Sequence, residues 1–482
     1  MDALLEEEDI STWLPAATTT SLTSAVAEAA PADGVDLISS LPDNLLRNIV
    51  SRLPVRDGAR TAVLTSRWYG LWLSTPLVLR DSDLLLASDL DDEVALAVAF
   101  ATVGCILADH PGPFRKVHLT CCEFGTRERE LEEWARLLAA KGVQDLVLLD
   151  VDDSTKDDVL QRLPNDILRC ASLQRLFLGY WSFPAMSTDV AFPRLKKLGM
   201  QNTSMRDEDL DHILACSPVL QILALKLSKN PQRIRLRSKS LQCMVLWMYM
   251  AHELAVVNAF CLQRLILWIT CAGVDDRPMI VKIRHAPNLR VLGYLEPRVH
   301  QLLIGNIVIN AKTKTSPNSM VPSVKILALK ANFSSVNDVK MLLSYLKCFP
   351  NVETLHIESS VIGGVTADYH DKFWREVLPV ECLKSHIKNI LIHKFRGNKS
   401  DFEFLKFIAK GARKLQDLLL LLTKEISDSA DQVAEVNRQL ALRACAWTWA
   451  AKGFKITLIK TPDEDTCDFF RASNLSVNDP FM

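Results

Sequence analysis

The chain has 482 residues, with 56 Lys and Arg against 57 Asp and Glu for a net charge of -1, and is 49% hydrophobic and 23% charged. That balance gives no electrostatic footing for nucleic acid or an anionic membrane surface, and the composition, with only 17 glycines, excludes a largely disordered or fibrous chain. Length alone suggests roughly three domains at ~150 residues each, unless the core grows by repetition.

The opening MDALLEEEDI is acidic and lacks the basic and apolar regions of a secretory leader, so an intracellular place, nucleus or cytoplasm, is expected. Residues 11–34 are rich in Ala, Thr and Ser without patterned hydrophobicity, and a disordered tail is expected over 1–35. Twelve cysteines are scattered without a CxxC pair and several sit inside apolar runs, as Cys216, Cys243 and Cys261 do, which reads as reduced core thiols.

Order begins near Asp36, with DLISSLPDNLLRNIVSRLPVRDGARTAVLTSRWYGLW. Ser40 with Asp43 predicts a helix start, Leu45, Ile49 and Leu53 fall at helical spacing, and Pro54 should end that helix. A second helix is expected over Arg56–Leu64, and a third carries Trp68 and Trp72 one turn apart. So small a module cannot bury this much Leu, Val and Trp by itself, which calls for a partner surface. Each tryptophan fits either the module's own core or that surface.

This stretch resembles an F-box, on Leu41-Pro42-Asp43, Leu45, Ile49, Leu53-Pro54, Arg56-Asp57, Ala59-Arg60, Val63-Leu64, Arg67-Trp68 and Leu71-Trp72. The resemblance implies an F-box domain over 36–80 that docks a Skp-type adaptor, and through it a cullin. The implied contact set is Leu41, Pro42, Leu45, Ile49, Leu53, Pro54, Val55, Arg56, Val63, Leu64, Trp68, Leu71 and Trp72. Gly58 departs from the Ala of many relatives, at a helix cost of ~1 kcal/mol.

Residues 81–113 read as a helical linker or cap. Their run Val94–Leu107 is too short to span a bilayer and is expected as a buried helix. From Phe114 onward one phrase recurs, apolar-x-x-apolar-x-apolar: FRKVHL at 114, VQDLVL at 143, LQRLFL at 173, LKKLGM at 195, LQILAL at 220, LQCMVL at 241, LQRLIL at 262, LRVLGY at 289, VKILAL at 324, VETLHI at 352, IKNILI at 387 and LQDLLL at 415. The average step of about 27 residues is that of leucine-rich repeats. Alternate residues such as Leu176 and Leu178 point inward and Arg175 and Phe177 outward, and stacked copies bury a continuous ladder that one strand cannot. The fold expected over 114–380 is therefore an α/β leucine-rich-repeat solenoid, a parallel strand ladder with helices on the convex side, made irregular by steps of 35 residues before Val324 and Ile387. Proline at Ser217-Pro218, Ala286-Pro287, Val321-Pro322 and Phe349-Pro350 leads into strands.

The stretch Cys382–Leu422 resembles the FBD region found after F-box and leucine-rich repeats in plant proteins, on Leu383-Lys384, Ile390 and Ile392, Phe395 with Gly397, the amphipathic Phe404–Ala409 and Lys414-Leu415. Residues 381–482 are thus expected to form an FBD-like region and the cap of the solenoid.

No motif for chemistry emerges. GxxxxGK[ST], GxSxG and HExxH are absent, and His252-Glu253 has no second histidine. Asp150, Asp152 and Ser154 lack the Gly and Glu of a calcium loop, since Thr155 and Gln161 stand there, so LDVDDSTKDD reads as a turn. Cys121-Cys122 beside His118 reads as core filling. Neither metal nor cofactor is expected, and the partners expected are adaptor, cullin and an unknown protein target, with no nucleic acid or membrane. If the register holds, Phe177, Trp247, Ile266 and Trp268 lie on the target-facing side among Arg175, Lys197, Lys226, Arg264 and Lys330. A one-residue slip or a covering loop would make the aromatics core instead. Two functions remain open: a receptor subunit that delivers a target to a ubiquitin ligase, and a non-catalytic repeat scaffold that does not.

Overall fold

The computed structural model describes residues 37–38, 40–85, 92–125, 127–150, 160–186, 190–269, 277–313, 316–360, 380–460 and 469–482. The tail expected over 1–35 and the turn expected after Asp150 lie outside them. The chain divides into two compact units, one running to Leu198 and taking in Asp468–Phe470, the other beginning at Gly199 and including Arg471–Met482.

The first unit opens with three short helices, α1 (Asp43–Val50), α2 (Val55–Ala62) and α3 (Ser66–Ser74). Ser40 does not cap α1, because its hydroxyl donates to the Leu37 carbonyl at 2.7 Å. Pro42 opens the helix instead: its fixed φ of -61° sets an extended N-cap whose carbonyl accepts from the Leu45 and Leu46 amides. Pro54 opens α2 in the same way, and α1 has already ended at Val50. Leu46, Val50, Trp68 and Leu71 form the buried core, with Leu41 and Trp72 packed against it. The inward stripe is thus Leu46–Val50, at i and i+4, one residue around the helix from Leu45 and Ile49. Arg67 ties α3 to α1 by donating to Asp43 Oδ1 at 2.7 Å and to the Leu41 carbonyl at 2.7 Å.

Gly58 has a packing reason. A Cβ there would stand 2.6 Å from Cζ3 of the Trp72 indole. Gly58→Ala is therefore expected to lower stability by about 1 kcal/mol, since overpacking against a stiff ring, at ~1–3 kcal/mol, outweighs the helix-propensity gain of ~1. A thermal melt checks it, and an unchanged or raised midpoint would show that the indole moves aside freely.

Strand β1 (Leu77–Arg80) follows the helices directly and pairs in parallel with β2 (Phe114–Leu119), which pairs with β3 (Asp145–Leu149), and that with β5 (Arg175–Gly179). β4 (Gln161–Arg162) and β6 (Trp181–Ser182) form a small separate pair. Helix α4 (Asp92–Asp109) is half-buried rather than buried: Ala99, Phe100, Val103 and Leu107 face inward, but Val94 and Val98 are exposed. Phe100 stacks on Trp134 at 4.3 Å, so aromatic packing on one side is what holds this helix.

The division between units falls within β7 (Lys197–Gln201). In the second unit a parallel ladder runs β8 (Ile222–Lys226), β10 (Cys243–Trp247), β12 (Arg264–Trp268), β14 (Val291–Leu295), β17 (Ile326–Ala331), β18 (Thr354–Ser359), β19 (Asn389–Phe395), β20 (Asp417–Leu422), β21 (Lys455–Ile459). Every copy of the repeated phrase lies on a ladder strand. Helices at Glu128–Ala140, Asn165–Leu168 and Asp207–Ala215 serve the early repeats as expected, but the layer between β8 and β17 departs from expectation. It is a second sheet of β9 (Arg233–Leu236), β11 (Glu253–Val256), β13 (Met279–Ile283), β15 (His300–Ile304) and β16 (Ile307–Val308), where helices were expected. RIRL alternates polar and apolar residues, the pattern of a half-buried strand, and MIVKI alternates buried and half-buried ones. Helices at Val336–Cys348, Glu381–Ser385 and Lys399–Gly411 serve the later repeats.

A left-handed residue closes strand after strand: Tyr180, Asn202, Leu227, Met248 and Ile269 have φ between 44° and 67°. Their cost is met by a backbone bond into the next repeat, as when Leu227 N donates to the Trp247 carbonyl and Met248 N to that of Trp268.

Candidate adaptor and target interfaces

The residues implied for adaptor contact separate by burial. Pro42, Leu45, Ile49, Arg56, Val63 and Leu64 are exposed; Leu41, Leu53, Pro54 and Trp72 are half-buried; Val55, Trp68 and Leu71 are buried. The last three hold the module together and present no surface. Leu37, Ile38 and Tyr69 are exposed as well and were not anticipated, because Leu37-Ile38 precede the motif and Tyr69 lies beside Trp68 off the apolar stripe. Seven of the fifteen exposed large hydrophobics among the described residues thus fall between Leu37 and Tyr69. A soluble chain seldom leaves that much apolar area on one small module unless something covers it.

On the outward face of the first unit's ladder, Asp145 gathers Arg175 Nε at 2.6 Å, His118 Nε2 at 3.4 Å and Lys116 Nζ at 3.8 Å. Burial pushes the Asp145 carboxyl up, but hydrogen bonds from His118 and Arg175 and the Arg175 charge hold it below its usual value. Burial drives His118 down. Phe177 packs with Val147 and Leu149 as a separate buried cluster.

In the second unit the ladder register aligns Cys243 with Arg264, Val245 with Ile266, and Trp247 with Trp268. All six point away from the second sheet, as the alternation of the strands requires. Trp247 stacks on Trp268 at 5.3 Å, and Trp268 meets the edge of Tyr294 at 5.2 Å. Phe177, Trp247, Ile266 and Trp268 therefore stand at the outward register positions that were expected, but their exposures of 2%, 2%, 0% and 7% leave no free side chain. Bulky groups on neighbouring strands ~4.8 Å apart bury one another. The C-terminal segment crosses the same face: Arg264 donates to the Asn474, Leu475 and Val477 carbonyls, and His356 Nε2 lies 2.9 Å from Asp479 Oδ2. Further along, Lys330 lies between Glu296 and Glu358, and Lys394 reaches Glu358 at 2.9 Å.

The F-box family model matches residues 38–80, the model for the leucine-rich repeats of FBD-associated F-box protein At5g56370 matches 131–357, and the FBD model matches 376–420. The chain carries an F-box, leucine-rich repeats and an FBD domain, and its homologues are Arabidopsis F-box/FBD/LRR-repeat proteins. It is similar to an FBD-associated F-box protein of Arabidopsis thaliana, 24% identical over 409 residues that cover 79% of this chain and 98% of that one. An F-box/FBD/LRR-repeat protein of the same plant is 22% identical over 424 residues, 83% of this chain and 90% of its own. Another is 29% identical over 191 residues, 39% of this chain and 44% of its own.

The FBD region supplies the next two ladder strands, β19 and β20, with a helix between them. Gly397 turns the chain at φ 67° toward the helix Lys399–Gly411, where Asn398 and Asp401 cap each other's amides. The buried Asp401 carboxylate also accepts from the Arg396 amide at 3.0 Å. Asp401→Ala strands those donors and is expected to cost about 2 kcal/mol, read as a lowered denaturation midpoint. An unchanged midpoint would show that solvent replaces the cap.

Among the described residues no group of His, Cys, Asp and Glu could hold a metal ion. Burial pushes the thiols of Cys243 and Cys382 up to about 12, which removes the thiolate a nucleophile needs. No helix among the described residues is long and apolar enough to cross a membrane.

Proposed function

We propose that this protein is the non-catalytic substrate receptor of a Skp–cullin–F-box ubiquitin ligase. An F-box generally binds a Skp-type adaptor, and the apolar face left open at Leu45, Ile49, Val63 and Leu64 is the observation that carries the reading. The repeats hold a protein target, and the receptor contributes by raising the target's local concentration at a catalytic centre on another subunit.

The test is co-purification with a plant Skp-type adaptor and cullin, using the full chain beside one lacking residues 36–73. Capture of both subunits by the full chain alone supports the reading. Capture by neither, with the repeats folded, would leave a repeat scaffold that delivers nothing to a ligase.

A further inference from the structure

The segment Arg471–Met482, sequence RASNLSVNDPFM, belongs to the second unit yet adds no strand to its ladder. It meets residues of four strands, all at outward positions. Cys243 Sγ on β10 lies 3.7 Å from the Ala472 carbonyl. Arg264 on β12 donates to the carbonyls of Asn474, Leu475 and Val477. The Phe481 ring packs against Tyr294 on β14 at 5.1 Å and against His356 on β18 at 5.4 Å. Asp479 completes the set through His356, whose Nδ1 in turn lies 3.1 Å from Nε2 of His393.

Two features mark this as ligand-like seating rather than core. First, most of the recognition is of backbone. A guanidinium that binds three carbonyls fits a chain that turns them toward it, as residues 474–477 do where the Val477 amide donates to the Asn474 carbonyl, and Asp479 and Phe481 add demands on sequence. Second, the packing is incomplete. Only Ala472, Pro480 and Phe481 are buried while Ser476, Asn478 and Met482 are exposed, and a cavity of ≈ 500 Å³ remains beside Leu475 and Asn478, walled by Arg264, Arg290, Lys325 and Glu353. The Asp479 carboxyl, pushed up by burial, is held below its usual value by its hydrogen bond with His356, so it sits as the anion in that seat.

We propose that the outward face around Arg264, Tyr294 and His356 is a peptide-binding surface occupied in the free chain by the chain's own C-terminus. The partner it fits is a turned segment of a target protein that carries an acidic residue two positions ahead of a large aromatic, and that takes the places of Asp479 and Phe481. The proposal rests on the receptor reading only in calling that partner a target. The experiment below involves neither adaptor nor ubiquitin, so the two fail separately.

The probe is a fluorescein-labelled peptide of residues 471–482, titrated by anisotropy against the full chain and against the full-chain variant Asp479→Ala/Phe481→Ala. A tethered segment competes at an effective concentration near millimolar, so the unaltered chain resists the peptide. The variant, its own tail weakened, is expected to bind it at least ten-fold more tightly, and a peptide with both changes is expected to bind neither. Adding Arg264→Gln to the variant should remove the gain. Should the double variant melt early, Asp479→Asn alone, which keeps the shape and removes the charge, is expected to gain at least three-fold. Equal affinity of the unaltered and altered chains, or no binding by a variant that melts normally, would overturn the proposal.

Discussion

Aspartate at both Leu45 and Ile49 is expected to weaken capture of a Skp-type adaptor by at least ~100-fold while leaving the thermal midpoint of the chain unchanged. The two residues are one turn apart on α1, 48% and 43% exposed, on a different face from Leu46 and Val50. About half of each side chain remains to be covered by a partner, worth roughly 1 kcal/mol apiece. A carboxylate forced into that dry contact adds a desolvation cost of at least ~1 kcal/mol more, and the sum passes ~3 kcal/mol. Neither change disturbs the module's own core, so folding should be untouched. Trp68→Ala is the contrast: at 6% exposure, in one cluster with Leu46, Val50 and Leu71, it should melt the helices before it reports on binding. Titration of purified adaptor against each variant, beside circular dichroism melts, separates the two. Adaptor affinity unchanged in the folded Leu45→Asp/Ile49→Asp chain would place the interface elsewhere.

The ladder could be read from the sequence because each strand carries its own signal. LQRLIL places Leu265 and Leu267 inward wherever it occurs, and β12 lies where that phrase requires. β1 and β21 escaped notice because LVLR and KITLI lack the leading apolar residue that marks the other copies. The second sheet escaped for a different reason. Its strands ELAV and MIVKI each carry three apolar residues in a row and fall in the gaps, where repeats of this length commonly carry helices, and four or five residues cannot separate the two on pattern alone. In the F-box the motif was plain and its inward face was not. Leu45-Leu46 and Ile49-Val50 are adjacent apolar pairs, so a rotation of one residue costs the pattern nothing. The burial of Trp268 depends on ring neighbours supplied by β10 and β14, and the bonds from Arg264 reach residues more than 200 positions away. Periodicity carries no information at that distance. Tyr180, Leu227, Met248 and Ile269 were equally silent, because nothing in those side chains favours the left-handed backbone their repeats impose.

Acidification from pH 7 to pH 5 is expected to lower the stability of the second unit by about 4 kcal/mol, through two histidines that the fold keeps neutral. Burial, aided by the Lys330 charge, pushes His300 down to about 3; burial, with the His356 and Lys394 charges, pushes His393 down to about 3. His300 Nδ1 accepts the Glu296 amide at 2.9 Å, so a proton at that nitrogen would break the bond. In the unfolded chain both titrate near ~6.5. Above that value neither state binds the proton, and nothing is lost. Between ~6.5 and about 3 only the unfolded chain takes it up, so stability falls steadily as pH falls, at about 1.4 kcal/mol per unit per histidine. At pH 5 that is ~2 kcal/mol each, or roughly 10 °C of melting temperature for the pair. The carboxyls held low, Glu353 at about 2 and Asp479, contribute only below the ordinary carboxylate range and stay outside this window. Glu296 and Asp401, which burial pushes up, act in the opposite sense by binding protons first in the folded chain. A His300→Gln/His393→Gln variant isolates the effect, since its melting temperature should lose most of the dependence on pH between 7 and 5. If its slope matches that of the unaltered chain, the acid sensitivity belongs to other groups.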